Sequence, residues 1–153
     1  MDNPRQWLAQ NADRPALLQA VSHPDPAMRY WACRLLDHHE LDDAVATRML
    51  AALSDKNKKV RQAALHTLGC EACKPSDSES IPLDIVGISL EVMRSDRSLR
   101  VRRAAAAGLM WQHPMERRVR RAFHRMQRDE SDPELLSKAE RAIFFADRRT
   151  QVA

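Results

Sequence analysis

A short pattern that recurs three times constrains the fold of this chain more than any other feature. In each copy, an apolar residue is followed by apolar or small residues three, four and eight positions later. The copies are Met28-Arg29-x-Trp31-Ala32-x-x-x-Leu36, Val60-Arg61-x-Ala63-Ala64-x-x-x-Leu68 and Val101-Arg102-x-Ala104-Ala105-x-x-x-Leu109. This spacing places the apolar residues on one face of an α-helix. Each copy therefore predicts one helix with one buried stripe.

The distance between the copies predicts a repeat protein. Their first residues are separated by 32 residues (Met28 to Val60) and by 41 (Val60 to Val101). A weaker fourth copy starts 35 residues later at Leu136 and continues through Ala139 and Phe144. Periods of this length are typical of stacked helical pairs.

The composition favours a chain that is helical throughout. It contains only three glycines, and 5% of its residues are aromatic. Alanine, leucine and arginine, which are abundant here, all favour helices. We expect an all-α fold and one domain that covers residues 1–153.

Aspartates that precede the second and third copies complete a recognisable pattern. Asp55 and Asp96 lie five residues before the leading valines, where a carboxylate can accept the unpaired N–H groups of a helix start. The order Asp, spacer, Val-Arg, x, Ala-Ala, Leu resembles the second helix of HEAT repeats, and Leu68-Gly69 matches the frequent ending of that helix. The resemblance covers about residues 12–147. It implies a right-handed α-α superhelix, a short HEAT-repeat solenoid of about four helical pairs.

The stripes and the segments between them divide this predicted solenoid into repeats. A polar segment that contains Pro75 reads as an inserted loop and accounts for the longer second period. The predicted parts are a cap with repeat 1 at about 3–39, repeat 2 at about 41–70, the loop at 71–80, repeat 3 at about 81–112 and repeat 4 at about 114–147.

The pattern also indicates which side chains face away from the stripe. On a helix with 3.6 residues per turn, positions two, six and nine of the pattern lie opposite it. Asp37 is one of the residues at these positions. The second helices of HEAT repeats line a concave face, so the resemblance implies a binding surface there. Its candidate binding residues are Tyr30, Arg34, Gln62, His66, Arg103 and Met110.

The arginine of each copy has two interpretations. An arginine series could bind phosphate oxygens. In HEAT repeats, however, this arginine usually pairs with the turn aspartate of its own or a neighbouring repeat, and the resemblance favours that structural role. The arginines are Arg29, Arg61 and Arg102, and the matching aspartates are Asp25, Asp55 and Asp96.

Basic residues concentrate in the second half of the chain. Residues 1–92 carry 10 Lys/Arg and 13 Asp/Glu (net −3), whereas residues 93–153 carry 15 and 8 (net +7). The segment 94–128 contains 11 arginines, and four of them fall within residues 117–121. One neighbouring glutamate cannot balance that group. We therefore add Arg117 and Arg121 to the candidate binding residues, although a solvated outer face also fits the pattern.

This arginine-rich segment is compatible with two kinds of partner. A basic patch can contact an acidic protein or the phosphates of a nucleic acid. No aromatic residues alternate with the arginines as stacking platforms for bases would. We predict an acidic protein partner and keep nucleic-acid binding through residues 94–128 as the alternative.

One cluster of residues has the chemistry of metal ligands. His66-x-x-x-Cys70-x-x-Cys73 places three potential zinc ligands within about two helical turns. A closed zinc site needs a fourth ligand, and the sequence offers no second Cys-x-x-Cys pair. A redox role lacks the usual strand-helix context. We therefore predict no metal and no cofactor, with Cys70 buried at a helix end and Cys73 exposed in the loop.

Two HEAT-like enzyme classes serve as comparisons. Deoxyhypusine hydroxylases bind iron through several His-Glu pairs, whereas this chain has only His39-Glu40. HEAT-like DNA glycosylases read bases in a basic groove, whereas Trp31 and Trp111 lie on or near the stripe and are predicted to be core residues. The sequence contains no nucleophile-base pair and no phosphate-binding glycine loop. We predict no enzymatic activity, and a metal-dependent HEAT-like enzyme is the third hypothesis, after protein binding and nucleic-acid binding.

These observations together predict a protein-binding or scaffold module that uses its concave face. No segment approaches the roughly 20 apolar residues that a membrane span needs, and no signal-like apolar run follows the first residues. Three cysteines without a secretory context argue against a disulfide framework. We expect a soluble, cytoplasmic protein without a membrane partner.

Overall fold

The chain is helical in the computed structural model, which describes residues 3–77 and 81–150. Within these residues it contains nine α-helices, one 3-10 turn and no strand. The elements are α1 (Pro4–Asn11), α2 (Arg14–Ala20), α3 (Pro26–Leu36), α4 (Asp43–Ala52), α5 (Lys58–Gly69), the 3-10 turn Glu71–Cys73, α6 (Ile85–Ser95), α7 (Leu99–Gln112), α8 (Arg117–Asp129) and α9 (Pro133–Thr150). The all-α prediction is confirmed. None of the described helices combines the length and the apolar character that crossing a membrane requires.

The helices form two compact units, Met1–Leu83 and Asp84–Ala153. In the first unit, α3 packs against α1, α2 and α5, and α4 packs against α5. In the second, α7 packs against α6 and α9, and α8 packs against α9. The second helices of neighbouring repeats therefore lie side by side within each unit, as they do in stacked helical repeats.

The predicted stripes form the core of each unit. In α5, Val60, Ala64 and Leu68 are all buried. The equivalent positions in α3 and α7 are buried as well, namely Met28, Ala32, Leu36, Val101, Ala105 and Leu109. A hydrogen bond also joins α5 to α3. The buried Thr67 hydroxyl donates it to the Cys33 carbonyl over 2.9 Å. The amphipathic pattern thus identified the faces along which α3 and α5 pack.

The predicted fourth copy is correct at Ala139, which is fully buried, but wrong at its two ends. Leu136 is only partly buried and Phe144 is exposed, whereas Leu135 is fully buried. The buried stripe of α9 consists of Leu135, Ala139, Ala142 and Ala146. These residues follow a spacing of four, three and four, so they share one face of the helix. Small side chains on this face allow α9 to lie close to α7 and α8.

The aspartates that precede α5 and α7 hold the turn before the cap. The N-cap residues are Asn57 and Ser98. Asp55 Oδ1 accepts a hydrogen bond of 2.7 Å from the Asn57 N–H, and Asp96 Oδ1 accepts one of 2.7 Å from the Ser98 N–H. The two aspartates were predicted to cap the helices directly. The N-cap residues instead lie two positions after them.

The predicted loop 71–80 begins with the 3-10 turn Glu71–Cys73, and its residues 78–80 lie outside the described residues. Helix α9 continues to Thr150, and residues 151–153 lie outside the described residues.

Candidate functional site

The arginine of the first copy is fully used by the fold. Arg29 donates from Nε and Nη2 to the two Asp55 carboxylate oxygens over 2.6 and 2.9 Å. Its Nη1 donates to the carbonyls of His23 and Pro24, each over 2.9 Å. Both side chains of the ion pair are largely buried. Arg29 therefore joins the turn before α3 to the turn before α5, and the predicted pairing with a turn aspartate is confirmed.

The arginines of the other two copies are also held by contacts within the fold, although Arg102 pairs with Glu130 and not with the predicted turn aspartate. Arg61 is only 4% exposed, and its Nη1 donates to the carbonyls of Asp55 and Lys56. Arg102 Nε donates to the Met93 carbonyl over 2.9 Å, and its Nη2 forms an ion pair with Glu130. A phosphate-binding role for this series is not supported, because its donors point into turns of the fold.

The four residues predicted for the binding face in the first unit are only partly exposed. Tyr30 and Arg34 lie on α3, and Gln62 and His66 lie on α5, which packs against α3. The Tyr30 ring contacts the edge of the Trp31 ring, with centroids 4.9 Å apart. The structure brings these residues onto adjacent helices.

The predicted binding face changes in the second unit, where Met110 is only 6% exposed and belongs to the core. Trp111, which was predicted to be a core residue, is 66% exposed. Both errors have one cause, because α7 packs against both α6 and α9. The buried arc is therefore rotated by roughly a quarter turn, toward Ala105, Ala106, Leu109 and Met110.

Arg103 was also predicted to be a binding residue, but it has acidic partners within its own unit. Its Nε and Nη2 donate to the Asp132 carboxylate over 3.0 and 2.5 Å, and its Nη1 lies 2.8 Å from Glu134. The hydrogen bonds from Arg103 lower the pKa of Asp132. Because two carboxylates balance its charge, Arg103 connects α7 to the start of α9.

Helix α8 separates its arginines into two groups. Val119, Phe123 and Met126 are buried. The opposite face carries an exposed row of cations, which we call the arginine ridge and which consists of Arg117, Arg121, Arg125 and Arg128. Spacings of four, four and three residues place them on one face, over about 17 Å of helix. Their side chains make no ion pair or hydrogen bond with any residue that the structure describes.

The remaining two arginines of the run flank the ridge and are paired. Arg118 contacts the Asp84 carboxylate over 2.7 and 3.0 Å and Glu116 over 3.2 Å. Arg120 lies 3.3 Å from Asp147 on α9. The hydrogen bonds with Asp84 and Glu116 raise the pKa of Arg118. The predicted Arg117 and Arg121 therefore belong to the ridge, while Arg118 and Arg120 attach α8 to its neighbours.

A cleft of about 670 Å³ adjoins the ridge on the side of α6. Arg125 lines this cleft together with apolar side chains from α6 and α8, including Leu90, Met93 and Met126. Acidic side chains contribute to its lining as well, namely Glu91, Asp129 and Glu130. The ridge thus borders a partly apolar recess in the same unit.

A second cluster lies in the first unit, where α3 ends close to the end of α5. His66 and Cys70 come from the last turn of α5 and its C-cap, and Cys73 comes from the 3-10 turn that follows. The Cys70 and Cys73 sulfurs are 3.1 Å apart, and Cys73 Sγ lies 3.6 Å from His66 Nε2. The three ligand atoms all lie within 4.8 Å of one another. Both cysteines are half-buried, which corrects the predicted division into buried Cys70 and exposed Cys73.

Asp37, the C-cap of α3, completes this cluster. Its side chain is fully buried, although the pattern predicted that it faces outward. Lys74 Nζ donates to Asp37 Oδ1 and to its carbonyl, each over 3.0 Å. His66 Nε2 lies 3.1 Å from the other oxygen, Oδ2. Oδ2 nevertheless accepts no hydrogen bond from any residue that the structure describes.

The charges within this cluster shift two pKa values in opposite directions. Burial opposes ionisation of Asp37, but its contacts with His66 and Lys74 outweigh burial and lower its pKa. The Cys70 thiol, burial and the nearby Asp37 carboxylate raise the pKa of Cys73 to about 12. The cysteine is therefore a protonated thiol at neutral pH, unlike the low-pKa thiolates of redox cysteines.

Comparison with known proteins assigns the family. The family model for HEAT repeats matches residues 14–109, well over half of the chain. A search of the curated proteins and a search of the solved structures found no match to this chain. HEAT repeats generally mediate protein–protein interactions. With its paired helices and its arginine–aspartate link between turns, the chain belongs to the HEAT-repeat family.

Proposed function

We propose that this chain is a non-enzymatic module that binds an acidic segment of a partner protein on the arginine ridge of α8. The observation that carries the proposal is the arrangement of Arg117, Arg121, Arg125 and Arg128 on one exposed face without partners in the described residues. Four like charges within about 17 Å repel one another and favour a negatively charged ligand.

Repulsion between the arginines of the ridge destabilises α8. Like charges four residues apart destabilise a helix by about 0.2–0.5 kcal/mol per pair. Arg117 with Arg121, and Arg121 with Arg125, are two such pairs. An acidic ligand removes that repulsion, and arginine is also enriched among the residues that dominate protein interfaces.

The cleft beside the ridge refines the proposed partner. Because Leu90, Met93 and Met126 line it next to Arg125, it offers an apolar side chain a place to be buried. The partner segment therefore combines several acidic residues with at least one apolar residue. Tyr30, Arg34 and Gln62 in the first unit remain proposed contacts of the concave face.

Nucleic acid is the second candidate partner, because arginines bind phosphates as readily as carboxylates. The ridge itself has no aromatic side chain on which a base could stack. The three free cysteines fit the reducing cytoplasm, where we propose that the protein acts.

A pull-down with two charge-matched variants tests this function. The ridge variant carries Arg117→Glu, Arg121→Glu and Arg125→Glu, and the control variant carries Arg48→Glu, Lys58→Glu and Lys59→Glu on exposed positions of the first unit. Each variant carries three changes of −2, so the formal charge falls from +4 to −2 in both. We expect a protein with an acidic segment to be retained from nuclease-treated lysate by the wild type and the control variant, and lost by the ridge variant.

Two other results would overturn the proposal. If all three proteins retain the same partners, the ridge does not bind them. If nuclease treatment abolishes retention by the wild type, the partner is a nucleic acid. A steep fall of affinity for an oligonucleotide with rising salt then supports the second candidate, since phosphate contacts release counterions.

A further inference from the structure

We propose that Asp37, His66, Cys70 and Cys73 form a structural zinc site in the first unit. Three of these residues are close in sequence, but two thiols and one imidazole leave a tetrahedral zinc ion one ligand short. The fourth ligand comes from α3, because the fold places the Asp37 carboxylate 3.1 Å from His66 Nε2. The set then has two sulfurs, one nitrogen and one oxygen.

Three of the distances between these ligand atoms can be compared with those around a zinc ion, and the ligand atoms of His66, Cys70 and Cys73 all lie within 4.8 Å of one another. Bonds of about 2.3 Å to sulfur and about 2.0–2.2 Å to nitrogen and oxygen imply tetrahedral separations of about 3.8 Å (S to S), 3.6 Å (S to N) and 3.4 Å (N to O). The corresponding distances here are 3.1, 3.6 and 3.1 Å. The sulfurs must therefore move apart by about 0.7 Å, and the nitrogen and oxygen by about 0.3 Å.

The buried carboxylate oxygen is the independent sign of a ligand. Asp37 is 0% exposed, and its Oδ2 has no well-aligned hydrogen-bond donor within the described residues, although the His66 ring nitrogen lies 3.1 Å away. A buried acceptor without a donor costs about 1–3 kcal/mol, and more when it is charged. The other oxygen, Oδ1, is held by Lys74 at 3.0 Å. Lys74 thus fixes the orientation of the carboxylate, with Oδ2 directed toward the His66 imidazole. Outer-shell partners orient metal ligands in the same way.

The chemistry of these ligands selects zinc among the common metal ions. Calcium and magnesium prefer oxygen ligands, whereas thiolates and imidazole together favour zinc. Four protein ligands leave no open position, which is typical of structural rather than catalytic sites. On binding, the ion replaces the protons of the Cys70 and Cys73 thiols, and both protons pass to solvent. The +2 ion, two thiolates, the Asp37 carboxylate and the Lys74 ammonium then sum to zero charge.

The position of the site defines its effect on the fold. The ion would join the end of α3 to the end of α5 and to the start of the loop that follows. Its binding free energy would add to the stability of the first unit, because the unfolded chain has no preformed site. This inference is independent of the arginine ridge, which lies on α8 in the second unit.

Metal analysis and cobalt substitution of the full chain test the site. We expect one zinc per chain after purification under reducing conditions. After chelation and addition of Co²⁺, we expect the intense visible bands of tetrahedral cobalt together with thiolate-to-cobalt charge-transfer bands. Cys73→Ser should weaken zinc binding at least about 100-fold and Asp37→Asn at least about 10-fold, since the loss of even an outer-shell partner typically costs about 10–100-fold in metal affinity. Cys33→Ala should retain both the metal and the spectrum, since this buried thiol lies outside the cluster.

Three results would contradict the zinc site. The first is reduced wild-type protein that contains no zinc and does not bind added zinc or cobalt. The second is an oxidised Cys70–Cys73 pair together with the absence of metal binding after reduction, which would make the cysteines a redox pair. The third is a Cys73→Ser variant that is folded by circular dichroism and binds zinc as tightly as the wild type. Cys73 is half-buried in a short turn, so this variant should fold even where Asp37→Asn does not.

Discussion

The arginines of the helical turns and the arginines of α8 share one side chain but have different surroundings. Arg29 uses Nε and both Nη groups within the fold, on Asp55 and on two carbonyls. Arg121 lies on an exposed helix face and contacts no acidic side chain of the described residues. The position of a carboxylate, rather than the number of arginines, therefore separates a structural cation from one that is available for binding.

The first way to sharpen this comparison is to remove one structural arginine. Arg29→Met keeps most of the aliphatic length but leaves Asp55 largely buried without its ion pair. We expect the free energy of unfolding to fall by about 2–3 kcal/mol, because a partly buried carboxylate loses a bidentate partner and two carbonyls lose a donor. Urea unfolding at neutral pH measures the change.

Arg121→Met is the matched control for this substitution. The change at an exposed site without partners should alter the free energy of unfolding by about 0.5 kcal/mol or less. If both variants lose the same free energy of unfolding, Arg29 stabilises the fold no more than Arg121 does, which would contradict the structural role of Arg29.

The second test uses pH and concerns the same ion pair. Burial opposes ionisation of Asp55, but hydrogen bonds from Arg29 and from the Asn57 N–H outweigh it and lower the pKa. The resulting stabilisation is present above the unfolded-state pKa of about 3.9 and is lost as the pH falls through the lower pKa of the folded state. Urea unfolding should be followed between pH 7 and pH 3. The urea concentration at the unfolding midpoint should decrease once the pH drops below about 4.

Asp55→Asn isolates the contribution of this residue to the pH profile. The variant should be less stable than the wild type at pH 7, and the difference should narrow as the pH falls below about 4. A difference that stays constant down to pH 3 would mean that ionisation of Asp55 does not stabilise the fold.

The smallest expected effect on stability has the opposite sign. Arg121→Glu converts two repulsive pairs, with Arg117 and with Arg125, into attractive ones. We expect the free energy of unfolding to rise by a few tenths of a kcal/mol, since each pair of this spacing contributes about 0.2–0.5 kcal/mol. Thermal unfolding at low salt measures this gain, which 1 M salt should remove. A clear loss of stability would indicate that Arg121 has a structural partner.

Local apolar spacing was sufficient to predict the helices and most of the core. Val60, Ala64 and Leu68 are buried as their periodicity indicates, because the stripe of a helix depends on neighbours within eight residues. The rotation of α7 could not be predicted in this way. It depends on α6 and α9 packing on two sides, which buries Met110 and exposes Trp111. The handedness of the solenoid stays a prediction from the family.

The two candidate sites depend on contacts between residues far apart in sequence. Composition revealed the arginine-rich segment, but Asp84 and Asp147 decide which of its arginines are paired. A spacing of four and seven residues from Arg121 could have identified Arg125 and Arg128. Asp37 lies 29 residues before His66 and was predicted to face outward. A ligand set completed by such a residue becomes visible only when α3 and α5 pack together.

Peptide binding measured by fluorescence anisotropy tests most directly whether the unpaired arginines bind while the paired ones stabilise. The probe is a labelled peptide of eight glutamates with one central leucine, and the proteins are the wild type, the ridge variant, the control variant and Arg29→Met. We predict that the ridge variant binds at least about 10-fold more weakly, because charge reversal converts attraction into repulsion. The control variant and folded Arg29→Met should bind like the wild type. Equal binding by the ridge variant, or an equal loss in Arg29→Met, would contradict the account.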